Sequence, residues 1–186
     1  MRTIFPCLAV LGAVLTIGFA VRANDAPGAA SRPATAQPDA QILEDIHVYR
    51  SQTWRYQTLM GAPRTPYSGE AETDPSMTFK LWVRDLWRSR KEQVKKRFAA
   101  GPPHRREWQC IHHFEGSWTA RTGNGYYGGL QMDITFQRTY AAKLLGKKGT
   151  ANHWTPLEQM WVAEKAHRSG RGFYPWPNTA RYCGLI

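Results

Sequence analysis

Between Gly116 and Met132 the chain has one charged side chain, Arg121, and no carboxylate. Acidic residues are scarce throughout, 14 against 25 Lys and Arg. His112, His113, Glu115, His153 and His167 form no HExxH and no pair of histidines at clear ligand spacing, so neither a metal site nor a cofactor is expected. Ser117 lies near histidines but lacks the Gly-x-Ser-x-Gly elbow of a serine hydrolase. No glycine loop of the nucleotide-binding kind and no internal repeat occurs. Beyond its charge the sequence carries no nucleic-acid motif, and nucleic acid is not an expected partner.

Cysteine is also sparse, with three in 186 residues. Cys7 lies in an apolar run from Ile4 to Ala20 that follows Met1 and Arg2 and ends at Val21-Arg22-Ala23, small residues occupying the two positions a signal peptidase reads. The run contains two glycines and a proline, which weighs against a membrane anchor of about 20 apolar residues. No small-residue lipobox precedes Cys7. Residues 1–23 are therefore expected to be a cleaved signal peptide and the protein to be secreted to the cell wall. Cys110 and Cys183 remain, and export makes a disulfide between them the default. Losing Arg2 and Arg22 leaves 23 basic residues against 14 acidic, a net charge of +9. Many of the cations fall between Arg84 and Arg106, which suits anionic wall polymers or a membrane surface, although a solvated helix face would look the same.

At this length the chain has room for one compact domain with appendages. Residues 24–38, rich in Ala, Pro, Gly, Ser and Thr, read as a disordered tether. Asp39 is expected to cap a helix with the stripe Ile42, Ile46, Tyr49, Tyr56 and Met60. Residues 61–74 read as a loop, and Asp74-Pro75 as the start of a second helix carrying Phe79, Val83, Leu86, Trp87, Val94 and Phe98 up to Gly101. The two helices are expected to pack as a pair in an extension spanning residues 39–104.

A short helix over 105–114 would align Trp108, Ile111 and Glu115 on one face. A carboxyl beside apolar surface is one whose ionised form desolvation disfavours, as a general acid near neutral pH requires. A glutamate ending a helix is more often simply solvated, so its neighbourhood decides. After it come Trp118, Thr122-Gly123-Asn124-Gly125 and Tyr126-Tyr127-Gly128-Gly129-Leu130-Gln131. Glycines allow close backbone approach, aromatics offer faces for sugar rings, and amides pair with hydroxyl and acetamido groups. Such a cluster is the composition of a saccharide groove. Asp133 is the one nearby second carboxylate, with capping or salt bridging its plainer role.

The stretch "EGSWTARTGNGYYGGLQMD" resembles the catalytic core of the resuscitation-promoting factors of actinobacteria. "LEQMWVAEKA" from Leu157 and "PWPNTARYC" to Cys183 are similar to that family's closing helix and ending. The likeness covers about residues 105–186. It implies an α+β, mainly helical fold, a lysozyme-like domain preceded by the helical N-terminal extension. It further implies cleavage of peptidoglycan glycan strands at the MurNAc–GlcNAc bond by a lytic transglycosylase or muramidase with Glu115 as single catalytic acid. Thr122, Asn124, Tyr126, Tyr127 and Gln131 fall on the groove motif, and Trp118 and Trp176 join them as expected substrate-binding residues. A monomer is expected. Two departures stand out: Cys110 lies five positions before the glutamate, where the family's cysteine usually directly precedes it, and the tail from Trp176 to Cys183 is longer. The alternative is a catalytically silent wall-glycan-binding protein, with a cationic membrane-active or nucleic-acid-binding protein less favoured.

Overall fold

The computed structural model describes residues 38–186; the expected signal peptide and almost all of the tether lie outside the described residues. Among the described residues are seven α-helices and one short hairpin. α1 (Pro38–Met60), α2 (Glu70–Thr73) and α3 (Met77–Ala100) precede α4 (Arg105–Glu115), and the hairpin follows as β1 (Tyr126–Tyr127) and β2 (Met132–Asp133). α5 (Ile134–Lys148), a 3-10 turn at Ala151–His153, α6 (Pro156–Ala166), a π-helical turn at His167–Arg171 and α7 (Pro177–Tyr182) complete the chain. The fold is thus mainly helical α+β, as the resemblance implied.

α1 and α3 form the expected pair around Ile42, Ile46, Ala71, Val83 and Trp87. Their boundaries and stripe differ from the sequence reading. Asp39 does not cap α1, because Pro38, with φ already set for helix, occupies the first position. Asp39 accepts instead from the buried Lys80 Nζ at 3.2 Å. α3 starts two residues later than expected: Ser76 Oγ accepts from Phe79 N at 3.2 Å, while Asp74 closes α2 and accepts from Ser76 N at 2.7 Å. On α1 the buried positions after Ile46 belong to Thr53, Gln57 and Met60, with Tyr49 and Tyr56 only half-buried. These polar side chains are satisfied in place. Thr53 Oγ1 donates to Tyr49 O at 2.8 Å, and Gln57 brackets Thr65, donating to its Oγ1 at 2.7 Å and accepting from its N at 3.0 Å.

A second core lies under α4, the hairpin, α5 and α6, and includes Trp108, Ile111, Leu130, Phe136, Trp154, Met160 and Trp176. The helix pair is docked on it. Trp161 Nε1 donates to Phe98 O at 3.1 Å while the two rings stack, Leu59 packs against the second core, and the Arg168 guanidinium donates to Met60 O. α6 is anchored by a capping box: Thr155 Oγ1 accepts from Glu158 N, and Glu158 Oε2 accepts from Thr155 N. Burial pushes the Glu158 carboxyl up. Hydrogen bonds from Lys148, at 2.7 and 2.8 Å, and from the Thr155 amide outweigh that effect and leave it below its ordinary value.

Cys110 on α4 and Cys183 after α7 are joined in a disulfide, Cα to Cα 6.0 Å. The longer tail folds as α7 and carries Cys183 back to α4, which accommodates the upstream position of Cys110. The bridge spans 73 residues of sequence. Closing a loop of that size in the unfolded chain is worth about 4 kcal/mol in the chain-entropy description. Paired Cys110→Ala and Cys183→Ala substitutions should therefore lower the unfolding free energy by about that amount in urea titrations. Loss of under about 1 kcal/mol would mean that α7 is held by its other contacts.

Candidate active site

Glu115 is the last residue of α4. Trp108 and Ile111, both fully buried, fix the face of that helix, and Glu115 emerges half-buried on the same side. Gly116 then turns the chain away at φ 143°, a conformation open to glycine. The carboxylate lines an open cavity of about 400 Å³ with Asn124, Tyr126, Gln131, Trp176 and Asn178. An adjoining cavity of about 330 Å³ shares Tyr126, Gln131, Pro175 and Trp176 and continues past Asp133, Thr135 and Arg171. The two make one groove, long enough in residues lined to take an extended ligand.

Thr179, buried on α7, donates its hydroxyl to Glu115 Oε1 at 2.8 Å. No Lys or Arg pairs with Glu115 among the described residues. One oxygen is thereby held and the carboxylate carries no cation that would compete for it.

The groove's other wall is the hairpin, with Tyr126 opposite Asp133 and Tyr127 opposite Met132. Its turn, residues 128–131, is fastened from beneath by the fully buried Gln159. Gln159 Oε1 accepts from Gly129 N at 2.8 Å, and Nε2 donates to the carbonyls of Trp118 at 2.8 Å, Ala151 at 2.9 Å and Trp154 at 3.1 Å. A Cβ on Gly128 would collide with Gln159 Oε1, and one on Gly129 with His112 and Trp118, so this close approach requires glycine at both positions. Gln131 ends the turn at φ 45°, in the left-handed region that a side chain rarely adopts. Its side chain donates to Gly128 O at 2.8 Å and lines both cavities. Such strain is of order 1–3 kcal/mol and is characteristic of functional loops.

Of the residues singled out in the sequence, Glu115, Asn124, Tyr126, Gln131 and Trp176 line the groove. Asn124 also shapes its loop, its Oδ1 accepting from Tyr126 N at 3.1 Å. Trp176 is buried, bound through Nε1 to Leu130 O at 2.6 Å and packed on Trp108 and Phe136. The others sit elsewhere. Trp118 stacks on His112 at 3.8 Å, Tyr127 packs against the core, and Thr122 is exposed on the loop outside the cavity lining. Asp133 has the capping role read for it, accepting from Phe136 N at 2.7 Å, while also lining the second cavity. Sequence reasoning did not single out Gln159, Thr179 or Arg171; Thr179 stood inside the quoted "PWPNTARYC" ending, three residues after Trp176.

Away from the groove, His104, Glu164 and His167 bring their ligand atoms within 4.8 Å of one another, a grouping the sequence spacing did not reveal. Glu164 is fully buried, accepts from Trp108 Nε1 at 2.9 Å and faces His104 Nδ1 at 3.2 Å. Burial, helped by the neighbouring His104, pushes His167 below its ordinary value. Those contacts account for the cluster as a polar network around one buried carboxylate.

Residues 103–179 match the model of the transglycosylase-like domain family. Over 76 residues the chain is 40% identical to a resuscitation-promoting factor of Mycobacterium tuberculosis, RpfE. That stretch is 40% of this chain and 41% of the relative, so the chain spans about two fifths of the length of the curated protein it matches. No solved structure matches the chain.

Replacing Gln159 by Leu would strand the Gly129 amide and the carbonyls of Trp118 and Trp154, while Ala151 O keeps its bond from Trp154 N. Each buried polar group left without a partner costs about 1–3 kcal/mol. Unfolding experiments should show a loss of about 3 kcal/mol or more. Stability close to wild type would indicate that the glycine turn holds its shape without the amide.

Proposed function

We propose that the protein is a secreted enzyme that cleaves peptidoglycan glycan strands between N-acetylmuramic acid and N-acetylglucosamine, acting as a lytic transglycosylase with Glu115 as its single acid. The observation that carries this reading is one carboxylate, steadied by Thr179 and unpaired with any cation, at the head of a groove lined by Tyr126, Gln131 and Trp176. The family match and the likeness to RpfE support the same chemistry.

With Oε1 held by the Thr179 hydroxyl, the other oxygen carries the proton. Glu115 gives that proton to the glycosidic oxygen as the bond to the anomeric carbon breaks, and the leaving sugar departs with a new hydroxyl. The muramic residue is left as an oxocarbenium-like cation. Glycosidases with two carboxylates use the second as nucleophile or to activate water. Here the 6-hydroxyl of the muramic residue attacks its own anomeric carbon, and the Glu115 carboxylate takes back the hydroxyl proton, giving a 1,6-anhydro end and a regenerated acid. Asp133 is the residue through which water would compete, and its capping bond limits that role.

Glu115→Gln preserves shape but has no proton to give, and general acid catalysis is worth about 10² to 10⁴ in rate. Mass spectrometry of fragments from purified peptidoglycan should show anhydro ends from the wild type and a loss of that size in the variant. Undiminished release by Glu115→Gln would remove Glu115 from the mechanism, whereas absence of release by the wild type would favour a protein that only holds glycan.

The cations of α3 serve attachment on this reading. Arg84 and Arg88 share Asp85, and Lys91 pairs with Glu92, whereas Lys95 and Lys96 have no carboxylate partner among the described residues. Changing Arg90, Lys91, Lys95 and Lys96 together to Gln should weaken sedimentation with anionic walls. The deficit should shrink with added salt, as the Debye length falls from about 10 Å at 0.1 M to about 3 Å at 1 M. Turnover of uncharged oligosaccharides should stay within about twofold of wild type, since a surface pair is worth well under 1 kcal/mol. A larger loss there would draw α3 into the active site.

A further inference from the structure

On the side of the molecule formed by α1 and α5 lies a cavity of about 350 Å³ that shares no lining residue with the groove of Glu115. Trp54, Leu59 and Leu144 give it apolar walls, and Arg55, Arg64, Lys143 and Lys147 stand around them. A second, narrower cavity of about 190 Å³ adjoins it, sharing Thr58, Leu59, Lys143 and Leu144 and running on to Val162 and Lys165. α5 is kinked beside this stretch, Ala141 standing at φ −145° and ψ 29°. No carboxylate lines either cavity.

The charge around the larger cavity is unbalanced. Arg55, Arg64, Lys143 and Lys147 are all exposed and make no ion pair with a carboxylate among the described residues, unlike Arg84, Arg88 and Lys91 on α3. Four like charges gathered at an acid-free cavity concentrate an anion there. The Arg64 guanidinium is held over the Trp54 ring at 5.5 Å, and Trp54 is itself tied through Nε1 to Thr65 O at 2.8 Å, so part of this rim is preset. Lys165 lines the narrow end, where burial, helped by the neighbouring Arg168, holds its amine below the ordinary range.

Cations gathered at the mouth of a channel walled by Leu59, Leu144 and Val162 ask for a ligand with an anionic head and a hydrophobic tail. We propose that this groove binds a single-chain amphiphile with a phosphate head, its head among Arg55, Arg64, Lys143 and Lys147 and its tail along Leu59 and Leu144 toward Val162. The volume falls within the range of small-molecule sites, about 300–1,000 Å³. An anionic polysaccharide would match the charge but leave the apolar walls unused. The site also gives α1, which lies outside the transglycosylase-like domain, a part in recognition.

Calorimetric titration with dodecyl phosphate below its micelle concentration tests the proposal. One molecule should bind per chain, with dodecyltrimethylammonium and inorganic phosphate each at least tenfold weaker. Decyl phosphate should bind about fifteenfold more weakly, from the loss of two buried methylenes. Arg55→Glu combined with Lys143→Glu and Lys147→Glu, three exposed positions, should weaken dodecyl phosphate at least tenfold with unchanged thermal unfolding and unchanged release of peptidoglycan fragments. Failure of dodecyl phosphate to bind would overturn the assignment. So would equal binding of the cationic amphiphile, an affinity for inorganic phosphate matching that for dodecyl phosphate, or an undiminished affinity in the triple variant.

Discussion

The groove depends on the amide of Gln159. A primary amide offers two N–H donors and one carbonyl acceptor. In this fold the donors meet the carbonyls of Trp118, Ala151 and Trp154 and the acceptor meets Gly129 N, so three loops converge on one side chain. The site is fully buried, and water cannot replace any of these bonds without opening the core. The glycines follow from that geometry. Gly128 and Gly129 press against the amide and against His112 and Trp118 because the bond to Gly129 N pulls the turn inward. Gln131 inherits the consequence, an unfavourable φ at the point where the chain must leave the turn and reach the groove.

The opposite wall is set by apolar packing. Trp108 sits in a cluster with Phe173 and Trp176, bonds Glu164 through its indole, and thereby fixes the rotation of α4 about its axis. Seven residues on, two helical turns, Glu115 is on the same face and Thr179 of α7 meets it. The disulfide fastens α4 to the segment just past α7. The spacing between the carboxylate and its hydroxyl donor is therefore a product of core packing on one side of the helix and a covalent bond on the other.

Much of this was legible in the sequence. The i, i+3, i+7 spacing of Trp108, Ile111 and Glu115 placed the carboxylate on the apolar face of α4, and the glycine-aromatic run was read as a groove without the hairpin that builds its wall. Two misreadings share one physical cause. A period of 3.6 identifies positions, but not whether apolar or satisfied polar side chains fill them, so Thr53 and Gln57 were overlooked in favour of Tyr49 and Tyr56. Gln159 escaped notice for the same reason, standing in a stretch read simply as a closing helix. Its partners lie 5 to 41 residues away, and no local pattern encodes them. At Asp74 and Ser76 two residues competent to cap stood two apart, and only the presence of α2 decides that Asp74 belongs to the preceding element.

The scarcity of acid noted at the outset has a structural counterpart. From position 115 onward the chain holds four carboxylates, Glu115, Asp133, Glu158 and Glu164. Asp133 caps α5. Glu158 completes the capping box of α6 and pairs with Lys148. Glu164 is sealed in the core between Trp108 and His104. Each of these three is engaged by a helix end, a cation or a buried indole, interactions that fix the side chain in place. Glu115 differs, for its partner is a neutral hydroxyl and its surroundings are an open groove. A group asked to hold a proton and then release it has to be free of a permanent cation, since a fixed positive charge would keep it ionised through the whole cycle. Among the four carboxylates from position 115 onward, Glu115 stands at the groove's head without a cation, and the fold assigns the other three to structural work.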